Sequence, residues 1–279
     1  MWPDVLTIIN ATRCGFINDL LTVIQGIVVM DIFNLKGKCA IVTGASTGLG
    51  KGMAIGLAEA GADLVLVDYV DCKETEEEIK ALKRKSITVI ADLMTIAPIQ
   101  TIINEAIKAF GKIDILVNNA GIIRRTPAID FSEKDWDEVM SINCKTVFFF
   151  CQAVARDMMK RKYGKIINIS SLLAFQGGIL VPSYSASKGA VAQITKALCN
   201  EWAQHGINVN AIAPGYMATN NTKALREDPV RSRQILERIP AGRWGLPDDL
   251  KGAVVFLASK ASDYVNGHVL VVDGGWLAR

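Results

Sequence analysis

Cys39-Ala40-Ile41-Val42-Thr43-Gly44-Ala45-Ser46-Thr47-Gly48-Leu49-Gly50 is the stretch on which the fold of this chain turns. An apolar run enters a glycine-rich turn, and Lys51-Gly52-Met53-Ala54-Ile55-Gly56-Leu57-Ala58 leaves it as a helix. In a strand–turn–helix of this kind the backbone N–H groups and the positive helix end hold a pyrophosphate. Gly44 and Gly50 are expected to permit the tight turn and close helix–strand contact, and Gly48 to let phosphates approach the backbone. Thr47 and Leu49 belong to the same dinucleotide-binding loop. The spacing is Gly-x3-Gly-x-Gly, not the commoner Gly-x-Gly-x2-Gly.

Asp63-Leu64-Val65-Leu66-Val67-Asp68 reads as the next strand and ends in an acid. A carboxylate there accepts hydrogen bonds from the adenosine ribose and repels a 2′-phosphate. No Arg or Lys lies between Gly44 and Gly50, and Lys51 and Lys73 are the nearest, so NAD is expected over NADP. Strands are expected near 39–43, 63–68, 87–91, 113–118, 164–170, 206–212 and 268–272. Helices are expected near 48–60, 73–84, 98–109, 133–161, 183–204 and 247–258. This unbroken alternation predicts one α/β domain over 30–279, a doubly wound, Rossmann-type parallel sheet of about seven strands with helices on both faces. Right-handed crossovers then place ligands at the carboxyl ends of the strands. The stretch 214–243, punctuated by Pro229 and Pro240, is too long for a tight connection and is expected to be a substrate lid.

Ser183-Tyr184-Ser185-Ala186-Ser187-Lys188 carries the chemistry. Tyr184 and Lys188, four apart on a helix, share one face. An ammonium beside a phenol favours the phenolate, which lowers the tyrosine pKa and suits Tyr184 to general acid/base work on a carbonyl/alcohol pair. Ser171, at the end of a strand-like run, is expected to hydrogen-bond the reacting oxygen, with Ser170 a plain strand-end residue.

Gly44-Ala45-Ser46-Thr47-Gly48 also matches the nucleophile elbow of hydrolases, and Asp248 or Asp249 with His268 would complete a Ser…Asp…His order. That reading explains neither Asp68 nor the Tyr–Lys pair. A second rival is a dinucleotide-binding regulator that no longer catalyses, for which a poised phenol has no use.

Thr43-Gly-x3-Gly-x-Gly50, Asn118-Asn119-Ala120-Gly121, Asn143, Ser171, Tyr184-x3-Lys188 and Pro214-Gly215 together resemble the short-chain dehydrogenase/reductase family from about Met30 to Arg279. The resemblance implies that Lys188 bonds the nicotinamide ribose and that Asn143 anchors a water relay to it. It also places Asp92 and Leu93 near the adenine, and Asn118, Ala120 and Gly121 along the cofactor. Pro214, Gly215, Met217 and Thr219 would follow it after the sixth strand. Members commonly form homotetramers, through the long helices after the fourth and fifth strands and the C-terminal segment. Here those carry Val147 to Phe150, Ala190 to Ala192 and Gly274 to Leu277.

Four longer stretches, 118–125, 213–222, 238–247 and 273–279, are similar to a subgroup that acts on keto sugars derived from hexuronates. A small acidic sugar needs a cation for its carboxylate. Arg124 and Arg125 follow the Asn-Asn-Ala-Gly turn to the mouth of the cleft, where a guanidinium grips a carboxylate through two bonds. Tyr216, Met217, Asn220 and the Arg243-Trp244 pair are further substrate candidates.

Half of the 279 residues are hydrophobic (50%), as suits a sheet buried on both faces. A net charge of +3, spread along the chain, argues against a nucleic-acid partner. The six cysteines show no zinc spacing, no metal is expected, and a reducing cytoplasm fits. Residues 1–29 are expected to be an extension translated from an upstream start, outside the fold. Their apolar run 20–30 is too short to span a bilayer, so no membrane partner is expected, and a membrane-associating or partner-binding helix is the alternative.

Overall fold

Seven parallel strands form one sheet in the order β3-β2-β1-β4-β5-β6-β7 in the computed structural model, which describes residues 31–279. The expected extension 1–29 lies outside the described residues. The strands are β1 Cys39–Thr43, β2 Asp63–Asp68, β3 Ser86–Ile90, β4 Ile115–Asn118, β5 Gly164–Ile169, β6 Ile207–Pro214 and β7 Val269–Val272. The helices are α1 Gly48–Glu59, α2 Lys73–Ala81, α3 Ile99–Phe110, α4 Glu133–Met140, α5 Thr146–Arg161, α6 Pro182–Trp202, α7 Lys223–Glu227, α8 Pro229–Arg238 and α9 Lys251–Ala258.

Successive residues of a strand face opposite sides, and β1 shows both layers at once. Cys39 and Ile41 pack into a core with Ile102 of α3, Phe150 and Val154 of α5 and Val191 of α6. Ala40 and Val42 pack into the other core with Met53 and Leu57 of α1, Ile79 of α2 and Val254 of α9. The doubly wound arrangement expected from the alternation is therefore present. Each fully buried Ile, Leu or Phe contributes about 1.5–3 kcal/mol of burial. Strand order reverses between β1 and β4, opening a crevice at their carboxyl ends.

Three elements differ from the sequence reading. The single helix expected over 133–161 is interrupted by a π-helical turn, Ser141–Lys145, between α4 and α5. The 247–258 helix begins as a 3-10 turn, Pro247–Leu250. The lid stretch is largely helical, α7 and α8 meeting at Pro229, where the Asp228 carboxylate accepts from the amides of Val230 (2.9 Å) and Arg231 (3.0 Å). Among the described residues no helix is long and apolar enough to cross a membrane, and no group of three His, Cys, Asp or Glu could hold a metal.

Candidate active site

The glycine loop makes the tight turn and the close helix–strand contact expected of Gly44 and Gly50. Gly44 and Gly48 stand at positive φ, +66° and +58°, where a side chain would be strained. A Cβ on Gly50 would fall only 1.9 Å from the Gly44 carbonyl oxygen, so α1 rests directly on the turn. No side chain caps α1 and no acid lies in its first turn. Its leading amides and positive end thus face the crevice, and these residues fit a dinucleotide pyrophosphate.

Asp68, buried at the end of β2, accepts from the Ser46 amide (3.0 Å) and the Tyr69 amide (2.8 Å). Lys51, the nearest cation to the loop, is engaged by Glu74 and Glu78 at 2.9 Å each. Asp92 is exposed and accepts from the Met94 amide (2.9 Å), the geometry of a turn. The Leu93 side chain lies in the core, and its carbonyl accepts from the Thr146 hydroxyl (3.0 Å).

Asn118 does not turn its carboxamide toward the crevice: Nδ2 donates to Asn168 Oδ1 (2.9 Å) and Cys151 Sγ (3.2 Å) in the sheet interior. Asn119, to which the sequence reading gave no role, donates to the carbonyls of Thr43 (2.9 Å) and Gly44 (3.2 Å). Gly121 is required by Asn143, because a Cβ there would stand 2.8 Å from Asn143 Oδ1. Asn143 is fully buried in the π-helical turn. It donates to the Ile122 carbonyl (3.0 Å) and the Ser187 hydroxyl (3.2 Å) and accepts from the Ile122 amide (2.9 Å). Helix insertions of this type concentrate at functional sites, and this one turns Asn143 inward between the β4 turn and α6.

Ser171 follows β5 in extended backbone and accepts from the Leu173 amide at 3.2 Å. Ser170 donates to the Lys188 carbonyl (3.0 Å), the structural part expected of it. Tyr184 and Lys188 share one face of α6, with Nζ 5.5 Å from the ring centroid. The electrostatics correct the sequence reading. Burial pushes the Tyr184 phenol above its ordinary value, while a Ser171 hydrogen bond and the Arg125 charge pull it down. Lys188 Nζ donates instead to the Ile169 carbonyl (2.7 Å), and burial lowers its pKa to about 8. Desolvation is the largest influence on the phenol.

Tyr184 and Ser171 open onto a cavity of about 610 Å³. The 214–243 stretch lines it through Tyr216, Leu225, Ile235 and Arg238. Of the two neighbouring arginines only Arg125 lines it, with Nη2 donating to the Asn221 carbonyl at 2.7 Å. Arg124 is a correction: its guanidinium pairs with Glu138 (2.7 Å) and Asp135 (3.4 Å) of α4, away from the cavity. Arg243 likewise binds Asp249 through two bonds of 2.7 Å.

Pro214 closes β6, and Gly215 gives the close approach to Asp273, whose Cα a Cβ would meet at 2.6 Å. Met217 is buried and bridges to Gly245, while Thr219 lies beside Gly48, so the lid begins against the glycine loop. Trp276 was expected in a subunit interface. It is instead buried on the cavity wall, 4.5 Å from the Tyr216 ring. Val147, Phe150, Val191 and Ala192 are buried within the chain as well.

The hydrolase arrangement is not formed. Ser46 follows the carboxyl end of β1, whereas His268 precedes β7 at the opposite end of the sheet, with three strands between them. The glycine loop and the Tyr184 cavity both lie at the carboxyl ends of the sheet's strands, and the chain is a nicotinamide-dependent oxidoreductase.

It belongs to the short-chain dehydrogenase/reductase family, with residues 44–277 matching the family model described as Enoyl-(Acyl carrier protein) reductase. It is similar to the 2-dehydro-3-deoxy-D-gluconate 5-dehydrogenase of Dickeya dadantii, 62% identical over 90% of this chain and 100% of that one. The Escherichia coli enzyme of the same name is 60% identical over the same shares. Among solved structures, a gluconate 5-dehydrogenase from Burkholderia cenocepacia in complex with NADP and tartrate is 42% identical, with a TM-score of 0.85 over 90% of this chain and 99% of that one. A candidate 2-deoxy-D-gluconate 3-dehydrogenase from Agrobacterium tumefaciens with bound NADP is 52% identical, with a TM-score of 0.85 over 89% of this chain and 100% of that one.

Proposed function

We propose that the chain interconverts an alcohol and a ketone on a keto-deoxy sugar acid, 2-dehydro-3-deoxy-D-gluconate at its C5, with NAD. One observation carries this reading. Tyr184 and Ser171 open onto a cavity of about 610 Å³ whose walls bear arginines and, among the described residues, no Asp or Glu. The relatives at 60% and 62% identity carry the same activity in their names. A gluconate 5-dehydrogenase reading is favoured by the Burkholderia structure and by the Gluconobacter oxydans enzyme of that name, 44% identical.

The bound nicotinamide supplies the hydride acceptor and donor. Tyr184 holds the proton: with its pKa raised by burial it rests as the phenol, ready to donate to a carbonyl oxygen in reduction. Oxidation requires that proton to leave first. Ser171 steadies the oxygen on which charge develops. Lys188 supplies a cation beneath Tyr184, and Asn143 is a positioning residue, locking the β4 turn to α6 through Ile122 and Ser187.

Asp68 supports NAD, since its carboxylate stands at the expected ribose end and Lys51 is neutralised by two glutamates. Self-association, with the homotetramer as the form expected, is supported by the half-buried Phe148–Phe149 pair on α5 and by Trp136 of α4, 41% exposed. A reducing cytoplasm suits the free cysteines.

The test is NADH formation or consumption across hexonates, keto-hexonates, neutral sugars and lipophilic alcohols. Carboxylated six-carbon substrates should lead. A preference for neutral or lipophilic alcohols overturns the substrate and leaves the dehydrogenase.

A further inference from the structure

Arg231, Gln234, Ile235 and Arg238 recur on α8 at i, i+3, i+4 and i+7, and all four line the cavity. The remaining Arg233 pairs with Glu237 at 3.9 Å. The two cavity-facing arginines have only neutral partners among the described residues. Arg238 Nη2 donates to Gln176 Oε1 (3.2 Å), and its guanidinium lies 4.1 Å from the centre of the Trp276 ring. The same Gln176 Oε1 accepts from Trp276 Nε1 (3.1 Å), which sets the orientation of both. Arg231 Nη1 donates to Gln234 Oε1 (2.8 Å). Two guanidinium groups on the wall of a cavity that, among the described residues, is lined by no acid are suited to an anion.

Molecular length decides which arginine it meets. In a six-carbon acid oxidised at C5, the carboxylate carbon lies four bonds, about 5 Å, from the reacting carbon. The carboxylate therefore sits away from Tyr184 when C5 is beside it. Of the cations that line the cavity, Arg125 acts on Tyr184, whereas Arg231 and Arg238 act on Tyr216. The cavity thus has one cation at its reacting end and two on the lid.

We propose that Arg238 and Arg231, on the inner face of α8, hold the substrate carboxylate, and that Gln176 and Trp276 position Arg238 to do so. This assignment rests on the sugar-acid reading above and makes the lid helix, not the loop after β4, the element that selects charge.

The test compares NAD-linked oxidation of 2-dehydro-3-deoxy-D-gluconate and of its methyl ester by the parent, Arg238→Met, Arg238→Lys and Arg125→Met. For Arg238→Met the KM for the acid should rise by about tenfold or more, and the acid-to-ester ratio of kcat/KM should fall by a similar factor. Arg238→Lys, which keeps the charge but not the fork, should fall between. NADH affinity reports that each variant is folded; should Arg238→Met fail to bind NADH, Arg231→Met and Gln176→Leu carry the same comparison. Equal losses for acid and ester overturn the assignment, as does discrimination lost in Arg125→Met and kept in Arg238→Met. A parent that oxidises neither compound, or prefers the ester, overturns the substrate reading and this assignment with it. A parent that prefers the acid, with that preference intact in Arg238→Met, overturns this assignment alone.

Discussion

Thr43 and Asn119 hold each other across β1 and the end of β4: the Thr43 hydroxyl accepts from the Asn119 amide at 2.9 Å, and Asn119 Nδ2 donates to the Thr43 carbonyl at 2.9 Å. The same hydroxyl also accepts from the Ala120 amide (2.9 Å). This clasp sets the height of the glycine loop against the Asn-Asn-Ala-Gly turn, the two surfaces between which a dinucleotide would lie. Thr43→Val leaves two amides without their acceptor, at a cost of about 1–3 kcal/mol in unfolding free energy. Urea denaturation should show that loss, and NADH titration a weakening of about tenfold. A variant as stable and as avid as the parent would show that the clasp does not shape the loop.

Tyr184→Phe should lower kcat by about 10²–10⁴-fold. NADH affinity should change little, because the ring and its packing remain. In the parent, ketone reduction should proceed at neutral pH with the phenol protonated, and alcohol oxidation should gain rate as pH rises. Steady-state rates in both directions from pH 6 to 10 check this. Substantial turnover by the Phe variant would remove Tyr184 from the chemistry.

Lys188 links stability to pH. Its folded pKa of about 8 lies below its ordinary 10.5 because burial opposes the charge. Below pH 8 the ammonium is charged in both folded and unfolded chains, and the burial penalty is present in full. Between pH 8 and 10.5 the unfolded chain holds the proton and the folded chain has released it, so stability rises with pH through that window. Relative to Lys188→Met, the unfolding free energy of the parent should climb by about 2 kcal/mol from pH 7 to pH 10. A flat difference across that range would contradict the buried-ammonium account.

Asp68→Ala removes the ribose acceptor, the repulsion toward a 2′-phosphate and the partner of the Ser46 amide together. NAD affinity should fall by about tenfold or more while NADP loses less, so the ratio of the two kcat/KM values narrows. Equal use of both cofactors by the parent would mean that Asp68 does not set the preference.

Arg124→Ala should leave substrate KM within about twofold, because its charge belongs to Glu138 and Asp135. The pair is part-exposed, so its loss should lower stability by only about 0.5–1 kcal/mol. A large rise in KM with unchanged stability would return Arg124 to the substrate site.

Local chemistry was legible from residue order alone. The strand–turn–helix around Gly44 to Gly50, the acid ending β2, the alternation of strands and helices and the shared face of Tyr184 and Lys188 all follow from periodicity and short-range sterics. What depends on distant partners was not. Arg124 and Arg125 are neighbours in sequence, yet α4 claims one with Glu138 while the other reaches the cavity and the Asn221 carbonyl. The π-helical turn at Asn143 has no signature in helix periodicity, because Ile122 and Ser187 supply the bonds that hold it. Arg231, Gln234, Ile235 and Arg238 were not singled out from the sequence, because nothing local says which face of α8 looks inward. Gln176 and Trp276 meet across 100 positions, and only the packed chain brings them together. The Tyr184 pKa belongs to the same class: its direction is set by how completely the fold withdraws the ring from water, and desolvation is a property of the assembled structure rather than of sequence spacing.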